Sequence, residues 1–172
     1  MLETLSVAFK KALATNSTQT SFASKIPTIT EPTNDGVHDL AKNGGVAPNG
    51  IVIVPYGLGA DDNAFAMRII GWRKIGNDPL TWLWIPVVIA ELTCTMSSVT
   101  GIAGRQVLNT EFFCDTLALV TGNDDVSIDI VSPTGNVVAH AVVDAKGFQK
   151  IEFSFDMTTG NPTSANCLFA VI

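Results

Sequence analysis

The sequence predicts an all-β protein: an antiparallel β-sandwich, jelly-roll-like, with an extended N-terminal arm. Three observations carry this expectation. Short β-branched and aromatic runs recur from Ile51 onward, each closed by turn residues. Two of those runs alternate strictly between apolar and polar residues, as half-buried strands do. No helical pattern separates the runs, which argues against a parallel α/β sheet.

The chain begins with Leu2, Leu5, Phe9 and Leu13, spaced as one stripe of a short amphipathic helix. That helix reads either as a frayed start or as a clasp laid on a neighbour. Residues 14–50 then read as an arm rich in Thr, Ser, Asn, Gly and Pro, with isolated anchors Phe22, Ile26 and Ile29. Pro27 and Pro32 hold the backbone before them extended. The expected division is therefore 1–50 as arm and 51–172 as sandwich domain, and removal of 1–45 is expected to leave a folded body.

The expected strands are Ile51–Val54, Ala64–Trp72, Leu80–Met96, Phe112–Val120, Val126–Val131, Asn136–Val143, Gln149–Met157 and Ala165–Ile172. Gly76-Asn77-Asp78-Pro79, Gly122-Asn123-Asp124-Asp125 and Ser132-Pro133-Thr134-Gly135 are among the separators that let the chain reverse. Ile151, Phe153, Phe155 and Met157 alternate with Glu152, Ser154 and Asp156, and Val126, Ile128 and Ile130 alternate with Ser127 and Asp129. About eight strands in this length fit a sandwich, of which the jelly roll is the eight-stranded form.

Charged residues make up only 15% of the chain, against about 25% in an average globular protein. Filled inner faces explain such a deficit, and so does a surface partly covered by partners. Acids and lysines cancel within residues 1–50, so the net charge of −6 falls on the remainder. No basic stripe offers itself to phosphates, so neither nucleic acid nor an anionic membrane is an expected partner. Leu80–Ala90, the longest apolar run, is shorter than the roughly 20 residues a membrane-crossing helix needs. Met1-Leu2-Glu3 lacks the basic start of a secretory leader, and the expected site of synthesis is a reducing cytoplasm.

Cys94, Cys114 and Cys167 are odd in number and widely spaced, which points to buried thiols rather than a disulfide framework. Two histidines, His38 and His140, form no H-x-H or H-E-x-x-H pattern, and no G-x-S-x-G is present. His140 reads as a strand residue, and His38 as a solvated or contact residue of the arm. Asp61-Asp62-Asn63 and Asn123-Asp124-Asp125 lack calcium-loop spacing and read as turns. Tyr56-Gly57-Leu58-Gly59 lacks the third glycine and the helix of a phosphate-binding turn. Cys114 beside Asp115, with His140 as a distant base, has no supporting motif. The expectation is no enzyme, no cofactor and no metal. Trp82 and Trp84 share parity in one strand, as core filling, an interface anchor or a sugar-stacking platform.

The segments Asn49–Gly57, Phe65–Trp72, Gly147–Gly160 and Pro162–Asn166 resemble those of small head proteins of tailed bacteriophages, the capsid decoration or cement proteins. The resemblance covers residues 49–172. It implies a β-sandwich or jelly-roll body with an arm, forming dimers or trimers on the outer face of the major capsid shell. The protein is then expected on the virion exterior, assembled in the host cytoplasm, with itself and the major capsid protein as partners. The expected interface residues are Leu2, Leu5, Phe9, Phe22, Ile26, Ile29, Trp82 and Trp84. Another β-sandwich virion component (a head–tail completion protein or fibre base) and a carbohydrate-binding module are the alternative readings.

Overall fold

The computed structural model describes residues 10–13, 25–33, 36–40, 49–58, 63–78, 82–96, 106–108, 111–132, 138–157 and 164–172. Its strands, in chain order, are β1 (Lys10–Leu13), β2 (Val37–Asp39), β3 (Gly50–Leu58), β4 (Asn63–Ile75), β5 (Leu83–Met96) and β6 (Gln106–Leu108). There follow β7 (Glu111–Phe113), β8 (Thr116–Gly122), β9 (Ile128–Val131), β10 (His140–Asp144), β11 (Lys150–Asp156) and β12 (Ser164–Val171). The protein is all-β, and every pairing is antiparallel.

Two sheets result. One runs β1-β12-β3-β10-β9, with β7 on β3 and β6 on β7; the other runs β2-β11-β4-β5-β8. The pairs β1·β12, β2·β11, β3·β10 and β4·β5 are nested in chain order. β8 and β9 then lengthen each sheet by one strand.

The sheets pack face to face over one core. Ile51, Ile53, Cys167 and Phe169 enter it from the first sheet, and Phe65, Met67, Ile69, Ile89, Phe153 and Phe155 from the second. Phe153 and Phe169 meet across the interface with ring centroids 5.3 Å apart, an arrangement that aromatic pairs favour. All three cysteines are buried in this core, and none is in a disulfide. Gly71 is required on β4: a Cβ there would run into the ring of Phe148.

The expected N-terminal helix is corrected where the structure describes it. Lys10–Leu13 is strand, because pairing with Asn166–Phe169 of β12 satisfies backbone groups that a short isolated helix leaves marginal. Leu2, Leu5 and Phe9, and likewise Phe22, lie outside the described residues. The strand pattern also begins before Ile51. β2 forms against β11, and Leu40 behind it is buried in the core. Three residues are too few to show an alternation, which is why this strand is invisible to periodicity. Phe112–Val120, expected as one strand, breaks at Cys114-Asp115 into β7 on the first sheet and β8 on the second.

Candidate interaction surfaces

Residues 25–33 form a strap on the outer face of the five-stranded sheet. Thr28 exchanges two backbone hydrogen bonds with Trp84 of β5, at 3.0 and 2.8 Å. On one side of that bridge Lys25 Nζ reaches Glu152 Oε1 of β11 at 2.6 Å. On the other, Glu31 Oε1 lies 2.7 Å from Lys150 Nζ, which Asp39 Oδ1 also contacts at 2.9 Å. The strap therefore spans the face from β11 to the edge of β5 and back.

What it covers explains why β11 looks half-wet in sequence and is not. Ile151, Phe153 and Phe155 point into the core as their alternation requires, yet Lys150, Glu152 and Ser154 on the opposite face are buried as well. Charges removed from water need partners. Glu152 has two, Lys25 and the indole N–H of Trp72, which donates to Oε2 at 2.9 Å. Burial pulls the Lys150 ammonium toward neutrality, but hydrogen bonds and attraction from Glu31 and Asp39 outweigh it, and its pKa stands above the ordinary value.

Trp84 reaches this face through a β-bulge. The β4·β5 register shifts between Ile69 and Ile70, which leaves Ile89 of β5 as an extra residue. Leu92, Cys94 and Met96 beyond the bulge face the core, whereas Trp84, of the same parity, joins Ile70 and Trp72 in a separate outer cluster. Lys74 lies over the Trp82 ring and 5.5 Å from the centre of Trp84, so the two indoles do share a side. They form no open platform, because Trp84 is buried beneath the strap while Trp82 is half-exposed.

The strap turns its own apolar residues outward. Ile26 is 73% exposed and Ile29 81% exposed, on a backbone anchored by the Lys25, Thr28 and Glu31 contacts. Beneath it lies a cleft of about 310 Å³, between Lys25, Thr28, Glu31, Pro32 and Trp72. Of the eight interface residues expected from sequence, the structure thus brings together Ile26, Ile29, Trp82 and Trp84 around one face. Lys25, Glu31, Lys150 and Glu152, which hold that face in place, had no signal beyond being charges in an otherwise charge-poor chain.

Comparison with protein-family models, with curated proteins and with solved structures finds no match to this chain.

His38 is a half-buried contact residue: its ring lies 4.7 Å from that of Phe169, at the margin of the core. The Cys114 side chain is fully buried, and its carbonyl accepts the Ala139 N–H beside His140. Burial also holds the Cys167 thiol well above its ordinary pKa. Asn123 makes a turn, its Oδ1 accepting from the Asp125 N–H at 2.9 Å. Among the described residues no three His, Cys, Asp or Glu converge as metal ligands, and no helix is long and apolar enough to cross a membrane.

Proposed function

We propose that this chain is a structural virion protein, a capsid decoration protein that seats its strap on the outer surface of a major capsid shell and stabilises it. The observation that carries the reading is the outward presentation of Ile26 and Ile29 on an anchored strap. Two large aliphatic side chains in water gain nothing for the folded chain alone. Buried against a partner, each contributes about 1.5–3 kcal/mol before association costs. Because the strap is already pinned, little ordering entropy is lost on docking. The nested strand order supports a jelly-roll body built of two Greek keys, the architecture the resemblance implies.

Mass spectrometry of purified particles tests the proposal. The expected result is this chain at a copy number comparable to that of the shell protein. Its absence from particles, or its presence in a few copies at one vertex, would overturn the decoration reading.

A further inference from the structure

We propose that residues 25–31 of the strap form a latch, which lifts about its Pro32 end while both sheets stay folded, and so decides which apolar surface this face presents. Closed, the latch shows Ile26 and Ile29; open, it uncovers Ile70, Trp72 and Trp84. The capsid shell plays no part in it.

The segment is fastened by polar contacts. From Lys25 to Glu31 every residue is exposed or half-buried, and Ile26 and Ile29 are turned outward. Lys25 on Glu152, Glu31 on Lys150 and the two Thr28–Trp84 backbone hydrogen bonds hold it down. Such contacts exchange readily for contacts with water, whereas buried apolar area does not. The cleft of about 310 Å³ leaves part of the strap without the close packing of a core. The other end of the strap differs. Pro32 is buried, and beyond it the Gly36 carbonyl accepts the Phe153 N–H at 3.0 Å, which joins that end to β11.

Lifting the latch strands no charge. Glu152 keeps the Trp72 indole N–H at 2.9 Å, and Lys150 keeps Asp39 Oδ1 at 2.9 Å; neither partner lies on the strap. A buried charge robbed of its sole partner would lock the strap shut, because that loss costs far more than one hydrogen bond. Here each charge has one partner on the latch and another off it. The surface uncovered is also separate. Ile70, Trp72 and Trp84 cluster apart from the main core, so their exposure leaves that core in place. Segments held in this way open locally, without global unfolding.

Amide hydrogen exchange of the full chain, read residue by residue by NMR, provides the test. The reporters are the Thr28 and Trp84 amides, which bond to each other's carbonyls across the bridge. They are expected to exchange roughly a hundredfold or more faster than the protected amides of the β4·β11 ladder. Sub-denaturing urea should leave the reporter rates unchanged while the ladder rates climb, since little surface is exposed in a local opening. Lys25→Met and Glu31→Ala, on opposite sides of the bridge, should each speed both reporters by about two- to tenfold, because the latch lifts as one piece. Reporters that share the rate and the urea dependence of the ladder would overturn the proposal, since the strap would then leave only when the whole chain unfolds. So would either variant that leaves both reporters at the wild-type rate.

Discussion

The Trp72 indole N–H and the Lys25 ammonium converge on one buried carboxylate, that of Glu152, at 2.9 and 2.6 Å. Glu152 thereby ties β4 to β11 and both to the strap. Glu152→Ala leaves the indole without its acceptor under the strap. The expected cost is about 1–3 kcal/mol, the penalty for stranding a buried polar group. It stays below that of breaking a fully buried pair because the Lys25 side chain is 22% exposed and can turn to water. A lower urea midpoint with an unchanged slope, and a shift in native tryptophan emission, are the readouts. An unchanged midpoint would show that the Lys25 and Trp72 contacts of Glu152 contribute no stability.

Lys150 links the strap to alkaline stability. Its folded pKa is raised, so its contribution is complete below the unfolded value of about 10.4 and is lost as pH climbs through the higher folded value. Melting temperature should therefore fall more steeply above that point in the wild type than in Lys150→Met. Thermal melts in stepped alkaline buffers measure the difference.

Gly71 leaves room for the ring of Phe148. Gly71→Ala should destabilise by about 1–3 kcal/mol through overpacking, and Phe148→Leu in the same chain should return part of that loss. Additive effects in the double-mutant cycle would mean that the ring is not what the new methyl meets.

Ile26→Lys and Ile29→Lys replace side chains that touch little of their own chain. Stability should change by no more than about 0.5 kcal/mol, while binding to shells stripped of the protein is lost. Undiminished binding would remove the strap from the docking surface.

Deleting residues 1–45 removes β1, the strap, β2 and the buried Leu40 together. β11 and β12 each become an open edge, and Trp84, Lys150 and Glu152 lose their cover. The truncated chain should aggregate or melt at markedly lower temperature, contrary to what the strand pattern by itself implies. A soluble truncation with an unchanged melting temperature would make these residues a dispensable addition.

Much of the body was legible from residue order alone. Alternation placed Ile151, Phe153 and Phe155 on the core side of β11, and turn chemistry at Gly76-Asn77-Asp78 and Gly122-Asn123-Asp124 separated the strands, because both signals are local. The burial of Cys94, Cys114 and Cys167 was legible for the same reason. Tertiary structure alone decided the rest. One extra residue at Ile89 turns Trp84 out of the core, and a register shift leaves no mark in hydrophobic periodicity. β1 and β2 became strands because β12 and β11 offered edges far along the chain, a pairing with no local trace. Glu152 and Lys150 read as a solvated face until the strap lay over them, since a residue's burial depends on what crosses above it and not on its neighbours in sequence.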